Sequence, residues 1–88
     1  MTTAAPRTVT VLLENELLTL GRACGVLRRR NLPIRDFAVV SKGHRGTWQL
    51  SCVIEADDAT LQNLVLQINN VIGVREATIT PNLRSEDS

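Results

Sequence analysis

TVTVLLENELLTLGR, residues 8–22, is the stretch that decides the fold of this chain. Its first six residues are β-formers and leucines that alternate between two faces, which predicts a strand over residues 8–14. Val9, Val11 and Leu13 share one face of that strand. Because Leu12 lies on the other face, neither face is expected to be fully solvated. The strand is therefore predicted to be central in its sheet.

A helix is predicted to open directly after this strand. Asn15 is a suitable N-cap, because its side-chain oxygen can accept from the first free helix N–H groups. Glu16 in the first turn suits the positive end of the helix dipole. The apolar residues that follow recur at helical spacing and predict the buried face: Leu17, Leu20, Cys24 and Leu27.

Two glycines, Gly21 and Gly25, weaken the helix, and each costs about 1 kcal/mol of helix stability relative to alanine. They lie four residues apart on one face and would permit close approach of another element. Three arginines at 28–30 suit the negative end of the dipole, and Asn31 is a plausible left-handed cap. Pro33 prevents the helix from continuing.

The rest of the chain predicts two strands, a helix and a last strand. The strands are expected over residues 34–41 and 47–56, joined by a turn at 42–46 that contains His44. Asp57 and Asp58 offer an N-cap, and the residues after them are strongly amphipathic with helical period. Gly73 is predicted as the helix stop, and the last strand is expected over residues 74–80.

The predicted order is thus βαββαβ, the split βαβ arrangement of ferredoxin-like folds. The class is α+β, with a four-stranded antiparallel sheet and both helices on one face, because crossovers are right-handed. The domain is predicted over residues 8–81. Residues 1–7 and 82–88 are polar and expected to be flexible.

The composition of the 88 residues limits the classes of function that can be expected of the chain. A net charge of +1 gives no bulk attraction to nucleic acid or to an anionic membrane, and no apolar run approaches the ~20 residues of a membrane span. No signal peptide is visible, so the cytoplasm is the expected location. Cys24 and Cys52 are expected to be reduced, small and buried.

Three kinds of site are disfavoured. Stacking of nucleic-acid bases needs exposed aromatic residues on the sheet, and the chain has only Phe37 and Trp48. A metal site is not predicted, because Cys24, His44 and Cys52 show no ligand spacing. No nucleophile–base pair is visible, so the chain is not expected to be an enzyme, and no cofactor is predicted.

The start of the first helix is the best candidate for a ligand site. Its free N–H groups can receive a carboxylate, whereas Glu14 and Glu16 would repel a phosphate and tolerate an ammonium group. Asn15 can both donate and accept hydrogen bonds. A zwitterion therefore suits this turn, but Asn15 acting only as a helix cap explains the residues equally well.

The motif at residues 11–16, VLLENE, followed by Leu20 and Arg22, resembles the ACT domain. More narrowly, it is similar to the N-terminal domain of the regulatory (small) subunit of acetolactate synthase. Further similarity lies in the turn at residues 30–34, RNLPI, and in NVIGV at residues 70–74. The resemblance spans roughly residues 8–80.

The resemblance implies a non-enzymatic regulatory protein of branched-chain amino acid biosynthesis. In that family the domain binds an amino acid effector, usually valine, at a homodimer interface. The small subunit also binds and activates a catalytic subunit that carries thiamine diphosphate, flavin and Mg²⁺. The effector-binding residues that the resemblance implies come from the first turn and from the start of the second strand: Asn15, Glu16, Leu17, Leu18, Pro33 and Ile34.

Three departures from the family pattern weaken the expectation of valine binding. Leu18 stands where the family usually has a glycine that lets the effector approach the backbone. Pro33 stands where it has an asparagine, and proline offers neither an amide donor nor a polar side chain. The family's usual second domain is also absent from this sequence. The expected function is activation of the catalytic subunit with weak or lost valine feedback; the alternative is an amino-acid-sensing ACT domain that acts on another target.

Overall fold

A computed structural model of the chain describes residues 5–42 and 46–81, in the order βαββαβ. The six elements are β1 (Ala5–Glu14), α1 (Leu17–Arg30), β2 (Ile34–Ser41), β3 (Thr47–Ala56), α2 (Asp58–Asn69) and β4 (Val74–Pro81). β1 begins three residues earlier than the alternation predicted. Within the predicted turn at 42–46, residues 43–45, His44 among them, lie outside the described residues, as do 1–4 and 82–88.

The four strands form one antiparallel sheet in the order β2-β3-β1-β4, with both helices on one face. The predicted ferredoxin-like architecture and the central position of β1 are therefore confirmed. β1 pairs with β3 along its whole length, from Ala5 opposite Ala56 to Glu14 opposite Thr47. β2 is an edge strand, and its pairing shifts between Arg35 and Ala38.

The core is aliphatic and lies between the sheet and the helices. Val9, Val11 and Leu13 of β1 are completely buried on the helix side. The other fully or almost fully buried large side chains come from β3 and α2: Leu50, Cys52, Ile54, Leu61, Leu64 and Ile68. Because burial of apolar surface is worth about 25 cal/mol per Å², these residues contribute strongly to the stability of the domain.

The two cysteines are free thiols. Cys52 is buried, as predicted, and burial together with the neighbouring Cys24 raises its pKa to about 11. Cys24 is only half-buried, and burial raises its pKa as well. Both groups are therefore protonated at neutral pH.

The helix ends differ from prediction in two places. The N-cap of α1 is Glu16 rather than Asn15, and its side chain makes no capping hydrogen bond. α2 ends at Asn69, so Gly73 lies in the following turn instead of stopping the helix. The other two caps are as predicted: Asn31 is left-handed with φ 55°, and Asp57 accepts from the Thr60 N–H at 2.8 Å. Hydrogen bonding with Thr60 lowers the pKa of the Asp57 carboxyl, and the side chain of Thr60 contributes more to this shift than its backbone does.

The buried face of α1 also differs from the predicted one. Its buried residues are Thr19, Ala23, Val26 and Leu27, while Leu20 and Cys24 are half-buried. Leu17, predicted to be buried, is 76% exposed. The inward position of the first turn is taken instead by Thr19, which is 3% exposed and packs against the α2–β4 turn.

Gly73 makes this packing possible. Its φ is +98°, and a Cβ built on it would lie 2.5 Å from Oγ1 and 2.8 Å from Cγ2 of Thr19. The Gly73 carbonyl also accepts a hydrogen bond from the Glu14 N–H at 2.9 Å. The turn before β4 is thus joined to the turn after β1 at one end of the sheet.

We expect Gly73→Ala to lower the free energy of unfolding by roughly 1–3 kcal/mol, because it combines an unfavourable φ with a steric clash. Gly46→Ala is the matched control, since Gly46 has φ +82° with open space around its Cβ position. Urea denaturation of both variants measures the difference. An equal loss at the two positions would contradict the role assigned to the Thr19 contact.

Candidate functional site

The predicted effector residues of the first turn lie together at one end of the sheet. Asn15, Glu16, Leu17 and Leu18 are all exposed, and Leu18 is 63% exposed. The Asn15 N–H donates to the Gly46 carbonyl at 3.2 Å, which fixes this turn against the β2–β3 hairpin. The turn is thus held by hydrogen bonds to both neighbouring turns.

The start of α1 keeps donors available. The first hydrogen bond within the helix runs from the Leu20 N–H to the Glu16 carbonyl at 3.0 Å. The amides of residues 17–19 precede it and have no acceptor within the helix. The Glu16 carboxylate instead accepts from the Thr19 hydroxyl at 3.2 Å. These amides can receive a ligand carboxylate, while the exposed Glu14 and Glu16 can attract an ammonium group.

Pro33 and Ile34, the second half of the predicted site, lie at the opposite end of the sheet. Ile34 pairs with Ile54, which in turn pairs with Arg7 near the start of β1. Arg7 is seven residues from Glu14, so the two halves are separated by roughly 23 Å at about 3.3 Å per strand residue. One chain therefore does not bring them together.

A groove of about 250 Å³ lies beside this second half and is lined by Pro33, Ile34, Arg35 and Glu55. Arg35 donates from Nη1 to the Glu55 carboxylate at 3.2 Å across the β2–β3 pair. Both side chains are at the surface, so the pair contributes little to stability. The groove offers an aliphatic wall and one pair of opposite charges.

An exposed apolar surface adjoins the first turn, and sequence periodicity did not reveal it. Ile72, just before Gly73, is 80% exposed, and Leu17 and Leu18 follow the neighbouring turn. Along α1 the surface continues to Gly21 and Gly25, where an added Cβ would have no neighbour within 4 Å. No element among the described residues makes the close approach that the two glycines permit.

Two other kinds of feature are absent from the described residues. No cluster of three or more His, Cys, Asp or Glu side chains that could hold a metal ion occurs in residues 5–42 and 46–81. Within the same part of the chain, no helix is long and apolar enough to cross a membrane.

No family model matches the chain. A probable acetolactate synthase small subunit from Archaeoglobus fulgidus is 31% identical over 65 residues, which are 74% of this chain and 41% of the relative. The chain thus spans about two-fifths of the length of this curated relative.

Solved structures show the same fold. The crystal structure of the ACT domain from GTP pyrophosphokinase of Chlorobium tepidum has a TM-score of 0.75 at 17% identity, covering 88% of this chain and 99% of that domain. The C-terminal domain of the MgtC protein from Mycobacterium tuberculosis has a TM-score of 0.71 at 13% identity, covering 97% of this chain and 95% of that one.

We expect Asn15→Ala to change the free energy of unfolding by no more than about 0.5 kcal/mol, because Asn15 is exposed and is not the helix cap. Asp57→Ala removes an observed cap bond on α2 and is expected to destabilise the fold measurably. Urea denaturation compares the two. If Asn15→Ala lowered the free energy of unfolding as much as Asp57→Ala, Asn15 would have a structural role.

Proposed function

We propose, from the ACT-domain fold and the resemblance to acetolactate synthase small subunits, that this chain is a non-enzymatic regulatory protein. It binds the acetolactate synthase catalytic subunit and activates it in branched-chain amino acid biosynthesis. The observation that carries the proposal is the 31% sequence identity to the Archaeoglobus small subunit over 74% of this chain. The exposed apolar surface of α1 and its neighbouring turn supports association with another protein.

Self-association is part of the proposal. The two halves of the predicted effector site lie at opposite ends of the sheet, so a complete site needs a second chain running the other way. A two-fold axis beside α1 would place the Pro33–Ile34 segment of one chain near the first turn of its partner. The charges of α1 favour this arrangement, since Glu14 and Glu16 lie at its start and arginines occupy its last turn.

Valine feedback is proposed to be weak or lost. Leu18 adds an exposed apolar side chain to the first turn of α1, beside the amides that would hold the effector carboxylate. Pro33 at the other half of the site supplies no N–H and no polar side chain. An assembled site would therefore keep Asn15 as the only polar side chain of the family's set.

Acetolactate formation by the catalytic subunit of the same organism tests the proposed function. The rate is measured for that subunit alone, with this chain, and with this chain plus valine. We expect activation that valine does not reduce. No change on adding the chain would remove the subunit assignment and leave the alternative, an amino-acid sensor with another target.

The paired substitution Leu18→Gly with Pro33→Asn is the matched variant for valine feedback. It restores the residue types of the family pattern at both halves of the site. We expect this variant to activate the catalytic subunit and to gain inhibition by valine. Inhibition of the unaltered chain by valine would contradict the proposed loss of feedback.

Gly21→Ala and Gly25→Ala test the α1 surface. Each change should stabilise the dilute, isolated chain by up to about 1 kcal/mol, because alanine is the better helix former and the added Cβ meets open space. If another chain packs closely here, the same changes should weaken self-association or binding of the catalytic subunit by about tenfold, or 1.4 kcal/mol. Sedimentation and calorimetry measure both.

The control for this pair is Asn63→Ala, an exposed position within α2. It should gain helix stability and leave association unchanged. Unchanged association in both glycine variants would show that α1 is not a close contact surface.

A further inference from the structure

β4 forms one edge of the sheet, and no strand among the described residues pairs with its outer side. In an antiparallel pair the backbone N–H and C=O groups of every second residue point to the neighbouring strand, and those of the residues between them point away. Such an unpaired row of donors and acceptors is a template for pairing with another strand. The groups that cover this row therefore decide whether another chain can extend the sheet.

Asn69, the last residue of α2, covers the middle of the outer row of β4. The Ala77 N–H donates to Oδ1 of Asn69 at 3.0 Å, and Nδ2 of Asn69 donates to the Ala77 carbonyl at 3.5 Å. Both backbone groups of Ala77 therefore face away from β1, and by alternation those of Arg75 and Ile79 face the same way. A carboxamide offers a donor and an acceptor in one plane, as a peptide group does. Asn69 thus stands where the next strand would place a peptide.

The two edges of the sheet differ in how regular they are. The β2 edge is interrupted by the pairing shift between Arg35 and Ala38 and by Asp36, which has a left-handed φ of 56°. A break of this kind hinders the addition of a strand. β4 pairs regularly with β1 from Glu76 onward, and residues 78–80 are β-formers. β4 is therefore the edge that is more open to strand pairing.

A second copy of the chain fits this edge. Two copies of β4 can pair antiparallel about a two-fold axis at Ala77, a register that keeps equivalent faces together. Arg75 then lies opposite Ile79 of the other copy, and Glu76 lies opposite Thr78, so no like charges meet. Centring the pair on Arg75 or on Glu76 would instead oppose two like charges. The charges of β4 thus permit the symmetric pair about Ala77.

We propose that Asn69 closes the β4 edge to a second copy of this chain. Ala77 would form the central hydrogen-bonded pair of the symmetric register, and Asn69 already occupies its N–H. Self-association is thereby left to other surfaces, such as the α1 surface. The inference goes beyond the proposed function, because it assigns to Asn69 the exclusion of a contact and holds whether or not the catalytic subunit is the partner.

Amide hydrogen exchange, followed by NMR on the dilute chain, tests the closed edge without altering the protein. We expect the Ala77 amide to exchange at least about tenfold more slowly than the amides of Arg75 and Ile79, because only the Ala77 amide donates to Asn69. Asn69→Ala should remove this difference. Thr78, whose amide faces β1 by alternation, should keep its exchange rate in the variant.

Sedimentation equilibrium tests the exclusion of a second copy. Asn69→Ala should strengthen self-association at least about tenfold relative to the unaltered chain, because the outer groups of Ala77 become available. Asn69→Asp keeps an oxygen acceptor for the Ala77 N–H and should stay close to the unaltered chain. Asn70→Ala is the matched control, since it removes the neighbouring exposed amide and leaves the Asn69–Ala77 bonds in place.

Charge substitutions at Thr78 test the register of the open edge. Thr78 is exposed, so a charge there leaves the core unchanged. In the Asn69→Ala background, Thr78→Glu places a carboxylate opposite Glu76 of the other copy and should weaken self-association roughly fivefold. Thr78→Lys places an ammonium group there and should strengthen it. The two variants differ only in the sign of the added charge.

Three outcomes would overturn the proposal: equal exchange of the Ala77, Arg75 and Ile79 amides in the unaltered chain, unchanged self-association of Asn69→Ala, or the same effect of Thr78→Glu and Thr78→Lys. The first of them needs no variant, so the proposal stays testable if Asn69→Ala does not fold. None of them bears on activation of the catalytic subunit, and the two proposals therefore fail separately.

Discussion

The close packing of Gly73 against Thr19 joins the start of the first helix to the α2–β4 turn. Because residue 73 has no side chain, the α2–β4 turn can press against Thr19 and turn it into the core. The rest of the inward face of α1 is apolar. Ala23, Val26 and Leu27 face inward, whereas Leu17 and Leu18 of the first turn face solvent together with Gly21, and Gly25 is partly buried.

The sequence was sufficient to predict the architecture, because each strand and helix has a clear hydrophobic period and clear residues at which it ends. β2 and β3 have the predicted bounds, and Asn31 and Asp57 cap the helices as expected. The rotation of α1 was not predictable in the same way. Its apolar residues are spread so widely around the helix that periodicity favoured Leu17, and a contact with a turn 54 residues later decided against it.

The predicted effector residues show a second limit of sequence reasoning. A motif predicts which residues take part in a site but gives no distance between them. Only the strand register shows that Asn15 and Ile34 lie at opposite ends of one sheet.

The helix α2 connects the two ends of the domain. It begins beside Arg7, where Asp58 forms the ion pair, and it ends near the turn whose Gly73 carbonyl binds the Glu14 N–H. Asn69, its last residue, accepts the Ala77 N–H at 3.0 Å and so ties this helix end to β4. Because Leu61, Leu64 and Ile68 hold α2 on the core between these two attachments, the helix fixes the spacing between the two ends of the domain.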